Sequence, residues 1–185
     1  KLIQRLTKAI NVIGPDFEKF GGIFLDYVLK TRFEHSGVND FGFPVSRVVD
    51  SASDDGKVVA QYGARNGYFS SGMAKANEDV DQALKYHPNA ECIFLFADEP
   101  GRPIVIAEFK RALLAEPRMQ GKSIRVWGSN RIAAWILRHL LSNDAAVDEL
   151  SVFLPELAQI RDEVARDLLG AAYLRGDDPA TLTFT

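Results

Sequence analysis

Apolar residues recur at helical spacing after Pro15. Phe17, Phe20, Phe24, Leu25 and Val28 form a stripe within PDFEKFGGIFLDYVLKTRF, which predicts an α-helix there. Gly21 and Gly22 interrupt it at a cost of about 1 kcal/mol each, and close packing against a neighbouring element accounts for the pair. The period then changes. Pro44 to Ser51 and Lys57 to Ala64 are β-branched and apolar runs separated by Asp54-Asp55-Gly56. Asp-Gly between two such runs is a strong hairpin signal, because glycine accepts the positive φ of a tight turn. A further helix is predicted from about Ser71, with Met73, Ala76, Val80, Ala83 and Leu84 on one face and His87-Pro88 ending it.

CIFLFAD is a continuous apolar run of strand length, the pattern of a central strand buried on both faces. EPGRP reads as a turn. IVIAEFKRALLAEP fits a helix or a strand running into a helix, and periodicity leaves both open. IRVWG reads as a strand and Ser129-Asn130 as the cap of the helix RIAAWILRHLLS. Asp144 to Leu169 reads as a last amphipathic helix, kinked or divided at Pro155. The tail GDDPATLTFT carries little pattern and is read as continuing towards a further domain. Strands alternating with helices imply the α/β class, a mixed central sheet flanked by helices. The core is expected over about 15–141 and a C-terminal helical extension over about 144–170. With no repeat, low-complexity run or Pro/Gly-rich linker, the 185 residues form one expected domain.

Composition narrows the function more than the fold. Apolar residues make up 46% and charged residues 25%, the balance of an ordinary globular chain. No apolar run reaches the roughly 18 residues of a membrane span, so no membrane partner is expected. KLIQRLTKAINVIG lacks a small-residue cleavage site and an initiator Met, and reads as a fragment boundary rather than a signal peptide. The single cysteine, Cys92, lies in an apolar run and reads as a buried core thiol. One cysteine excludes an internal disulfide and a multi-Cys zinc site, and fits a reducing cytoplasm. A net charge of −3 weighs against avid nucleic-acid binding by the free domain, so such contact must come from a local basic surface or from other domains.

The hairpin brings Asp50, near the end of its first strand, towards Gln61 on the returning one. Oxygen donors on adjacent strands suit a hard cation such as Mg²⁺, and Glu18 on the preceding helix offers a third. Spacing alone is equally well met by a strand-ending Asp50, an ordinary polar Gln61 and a solvated Glu18.

FEKFGGIFLDYVL, PVSRVVD, SDDGKVVAQY, a helix and then CIFLF together resemble the PD-(D/E)XK, or restriction-endonuclease-like, nuclease superfamily. The likeness covers about Asp16 to Phe96, with IRVWGSNRIAAWIL similar to a following core strand and helix. It is closest to domains at the N-terminus of large STAND-type NTPases of bacterial defence. It implies a restriction-endonuclease-like core and Mg²⁺- or Mn²⁺-dependent hydrolysis of DNA by an antiphage effector module. Asp50 matches the motif aspartate, Gln61 the Glu/Gln position and Glu18 the acidic residue of the first helix. The motif lysine falls at Gly63, a departure from the pattern. Lys75, near the start of the following helix, is the candidate substitute, with Arg65 behind it. Lys75 fits equally an i,i+4 pair with Asp79 on an exposed face. The departure keeps a second reading open, a catalytically silent member of the fold serving as a nucleic-acid-binding or homo-oligomerisation module.

FADEPGRPIVIAEFK offers a competing Asp98…Glu108-x-Lys110. It ranks second because little chain follows Lys110 before the next strand. If Ile104 to Ala115 is helical, Glu108 and Lys110 point to different faces. Arg118, Lys122 and Arg125 form a small basic cluster that either touches a phosphate backbone or is an ordinary solvated loop. His35, His87 and His139 are scattered, so zinc is not expected. No serine-hydrolase elbow and no glycine-rich phosphate loop is present.

Overall fold

The computed structural model of the chain describes residues 1–30, 49–64 and 67–175. Helices α1 (Leu2–Ile10) and α2 (Phe17–Leu29) precede strands β1 (Ser51–Ala52) and β2 (Val58–Gly63). Helix α3 (Ala74–Tyr86), β3 (Cys92–Ala97), α4 (Pro103–Leu114) and β4 (Ser123–Trp127) follow. The chain then runs through α5 (Ser129–His139), α6 (Asp144–Ser151) and α7 (Pro155–Arg175). The sheet order is β1-β2-β3-β4, with β1–β2 antiparallel and β2–β3–β4 parallel. This is the mixed α/β sheet that the pattern of elements predicted.

Alternation along the strands sorts the core into two layers. Ala60, Tyr62, Phe94, Phe96 and Trp127 face a layer built with α1, α2, α5, α6 and α7. Val59, Ile93, Leu95, Ile124 and Val126 face α3 and α4. β3 is therefore buried on both sides, as its unbroken apolar run requires. Cys92 is half-buried at the start of that strand rather than fully enclosed, because the apolar run begins one residue later.

Pro103 opens α4, so IVIAEFKRALL is helical, with Phe109 and Leu113 as its buried positions. Pro155 likewise opens α7 and divides the C-terminal segment into two helices. Those helices pack onto the core: Leu150, Leu154, Leu157 and Ile160 are buried with Phe24 and Trp127. An Ile160→Val variant should therefore lose about 1 kcal/mol in urea unfolding. A loss near zero would show α7 to be dispensable to the core. Sequence periodicity also passed over α1, read above only as a boundary. Leu6 and Ile10 on it are fully buried.

The α5 cap differs from expectation. Gly128 is the N-cap and no side chain caps the helix. Asn130 is turned to the Gly101 backbone instead, accepting its N–H at 3.0 Å and donating to its C=O at 3.1 Å. Among the described residues no helix is long and apolar enough to cross a membrane.

Candidate functional site

The hairpin turn forms as predicted, with Gly56 at φ +66° and the Asp55 carboxylate accepting the Lys57 N–H at 3.0 Å. Pairing of Ser51 with Ala60 sets Asp50 beside Gln61. Pro44 to Val48 of the expected first strand lie outside the described residues, and Asp50 sits in a bend directly before β1. Here side chains take over from the ladder. Asp50 Oδ2 accepts the Tyr62 N–H at 2.7 Å, and Gln61 Oε1 accepts the Asp50 N–H at 3.2 Å. Asp50 Oδ1 has no hydrogen-bond partner among the described residues, and Gln61 Nε2 is buried without one.

Glu18 arrives from the first turn of α2. A Cβ on Gly21 would lie 2.4 Å from Tyr62 Cδ1, so only glycine lets the helix settle this closely on β2. The close packing expected of the glycine pair is thus met at Gly21. Glu18 is half-buried, and desolvation followed by the charge of Asp79 raises its pKa.

Helix α3 supplies Lys75 near its start and Asp79 one turn later. Lys75 Nζ meets Asp79 Oδ1 at 2.7 Å, the i,i+4 pair noted in the sequence. The face is not an exposed one, because Asp79 is 5% exposed and its Oδ2 accepts the Tyr68 hydroxyl at 2.8 Å.

These groups act on one another. Burial pushes the Asp50 carboxyl up to about 7. The Tyr62 N–H opposes that shift, Glu18 and Asp79 add to it, and Lys75 lowers it. Residues from α2, the approach to β1, β2 and α3 therefore share one electrostatic centre. Glu18, Asp50 and Asp79 bring carboxylates to it, and Lys75, which also lies 3.7 Å from Glu78 Oε2, brings the ammonium.

At position 63 the lysine is missing for a visible reason. A Cβ on Gly63 would lie 2.2 Å from Tyr68 Cδ2 and 2.4 Å from Cε2. The Tyr68 ring, 1% exposed, fills the space in which a lysine stem would start.

Asp50, Glu18 and Gln61 offer oxygen atoms, the donor type a hard dication takes. Asp50 keeps one oxygen unbonded among the described residues, Glu18 adds a carboxylate, and the Gln61 carbonyl makes a 3.2 Å hydrogen bond. Among the described residues no group of three or more His, Cys, Asp or Glu side chains is placed to hold a metal. Two carboxylates and an amide suit Mg²⁺, which keeps several waters and takes substrate phosphate as a ligand.

The competing placement comes apart. Asp98 follows β3 directly, its buried Oδ1 unpartnered among the described residues, and desolvation followed by the Glu99 charge pushes its pKa to about 6. Glu108, however, is exposed on α4, and Lys110, two residues further, is turned by about 200° around the helix.

The basic cluster does not present free cations together. Arg118 is paired with Asp81 and Glu116, and Lys122 donates to the carbonyls of Pro88 at 2.8 Å and Ala90 at 2.6 Å. Arg125 is exposed, 5.8 Å above the Phe94 ring. Arg65 lies outside the described residues.

Sequence reasoning did not single out Tyr68, and it noted Asp79 only as a surface partner. Asp79 had a signal: it falls between Ala76 and Ala83 beside Val80, on the apolar stripe of α3, where a carboxylate needs a reason. Tyr68 had none but the glycine at 63. Against models of known families, curated proteins and solved structures, the chain gives no match.

Proposed function

We propose that this chain is a metal-dependent phosphodiesterase domain of the PD-(D/E)XK type, cutting DNA with Mg²⁺ or Mn²⁺ as an effector of a larger antiphage defence protein. The observation that carries the reading is convergence. Gln61 is hydrogen-bonded to Asp50 across the hairpin, and the charges of Glu18 from one helix and Lys75 from another both act on the Asp50 carboxyl. The defence role rests on the resemblance of the hairpin segments alone.

Asp50 Oδ1, Glu18 and the Gln61 carbonyl are the groups that would hold the cation. A bound dication would supply charge stabilisation on the phosphate and ease deprotonation of the attacking water. Lys75 places positive charge where the phosphate gains negative charge, which favours the transition state over the ground state. Gln61 brings no charge of its own, so cation attraction falls on Asp50 and Glu18.

Plasmid cleavage in Mg²⁺ or Mn²⁺ is the direct test, run on the chain and on the full-length protein that carries it. Cutting that chelator abolishes and Asp50→Ala lowers by about 100-fold is the expected result. Gln61→Glu should lower the Mg²⁺ concentration needed for half-maximal cutting. Cutting that survives Asp50→Ala would place the site elsewhere. A second reading, a silent member of the fold that binds nucleic acid or oligomerises, is favoured by the Tyr68 ring at position 63. It wins if neither the wild type nor Gln61→Glu cuts.

A further inference from the structure

We propose that Tyr68 and Asp79 are positioning residues that hold Lys75 as the cationic group of this centre, in place of a lysine at position 63. The inference deepens the hydrolase reading and rests on it for what Lys75 does. The holding geometry is a separate matter.

Asp79 is the pivot. An i,i+4 Lys–Asp pair on a helix surface is worth a few tenths of a kcal/mol and leaves both groups in water. Here the carboxylate is buried at 5% exposure, while the Lys75 side chain keeps 42%. A buried carboxylate is costly unless both oxygens are bonded. They are: Oδ1 to Lys75 and Oδ2 to Tyr68. With both oxygens taken, Asp79 is poorly placed to be a cation ligand, unlike Asp50, whose Oδ1 is unbonded among the described residues. Its carboxylate orients Lys75 without being a ligand, and its charge also raises the pKa of Glu18 and of Asp50.

Tyr68 does two things at once. Its ring closes the space over Gly63, and its hydroxyl aims the carboxylate that binds the ammonium. A lysine at 63 would need the ring gone, and removing the ring would release Asp79. The two ways of bringing a lysine to the centre therefore exclude each other. Tyr68 itself is fixed by its neighbours: the Glu99 carboxylate accepts the N–H of Gly67 at 2.8 Å and that of Phe69. The loop carrying Tyr68 is tied from both sides to the end of β3.

The test uses Tyr68→Phe, Asp79→Asn and Lys75→Ala. Tyr68→Phe keeps the ring and loses only the hydroxyl, so it serves if Asp79→Asn fails to fold. The first readout is independent of cleavage: the rate at which an amine-reactive reagent modifies Lys75, measured by peptide mass against Lys57 in the same sample. Asp79→Asn should raise that rate about five-fold and Tyr68→Phe about two-fold. The second readout is plasmid cleavage. Lys75→Ala and Asp79→Asn should both lower kcat by about 10- to 100-fold with KM little changed, and Lys75→Arg should recover part of the loss. Unchanged labelling in both Asp79→Asn and Tyr68→Phe overturns the proposal. So does a kcat that falls for Lys75→Ala but not for Asp79→Asn. Failure of both the wild type and Gln61→Glu to cut sinks the hydrolase reading alone, and labelling then decides this one.

Discussion

Lysine returned to position 63, where the motif would have it, should unfold this protein more readily and leave it no more active. Gly63→Lys puts a Cβ 2.2 Å from Tyr68 Cδ2, 2.4 Å from Cε2 and 2.9 Å from Cγ. The contact is with the body of a ring that is 1% exposed, so no flexible end can swing aside. Overpacking of this kind costs about 1–3 kcal/mol. A displaced ring also loses its hydroxyl bond to the buried Asp79 carboxylate, about 1.5–3 kcal/mol more. The expected loss in urea unfolding is therefore about 4 kcal/mol, a large part of a typical domain's stability. Tyr68→Ala supplies the control. In that background the added cost of Gly63→Lys should fall to about 1 kcal/mol, because the two residues compete for one volume. A Gly63→Lys variant as stable as the wild type, or the same cost with and without the ring, would contradict the packing.

What the sequence made legible, and what it hid, follows from the range of each interaction. The meeting of Asp50 with Gln61 is local: a tight turn at Asp55-Gly56 fixes the register, and register fixes which residues face each other. The helical face of Ala76, Val80 and Ala83 is equally local, and so is the buried run of β3, whereas Met73, expected on that face, precedes the helix with φ +64°. Glu18 was open to a solvated reading on spacing alone, because only the close approach of Gly21 to Tyr62 brings α2 to the hairpin, and no short-range signal encodes that contact. Tyr68 reaches Asp79 across 11 residues of loop and helix start, and Gly67 and Phe69 reach Glu99 across about 30. Such bonds leave no period in the sequence. The basic cluster misled for the opposite reason. Arg118, Lys122 and Arg125 are neighbours along the chain, but a turn and a strand send them to Asp81, to the carbonyls before β3 and to the Phe94 ring.

The centre should also be visible in stability without any cleavage assay. Asp50 in the unfolded chain titrates near 3.8, whereas in the native protein burial and the charges of Glu18 and Asp79 push it up to about 7. The native state thus binds this proton more tightly than the unfolded state. Its contribution is fully present below about pH 4 and is lost as the pH rises through 7. Three units at about 1.4 kcal/mol each give about 4 kcal/mol at pH 8 as an upper figure, shared among coupled carboxylates. Asp50→Asn removes the ionisation and keeps an oxygen to accept the Tyr62 N–H. The D50N variant should match the wild type within about 1 kcal/mol at pH 4 and exceed it by up to about 4 kcal/mol at pH 8, a gain of several degrees in Tm. Groups that titrate alike in both proteins cancel in the difference. Mg²⁺ or Mn²⁺ at pH 8 should narrow the gap by stabilising the wild type and not D50N, since only an ionised Asp50 attracts the ion strongly. A gap that stays flat from pH 4 to pH 8 would mean that the Asp50 carboxyl is not held protonated by its surroundings. A gap that opens with pH but ignores both metals would leave the charge cluster intact and remove its cation.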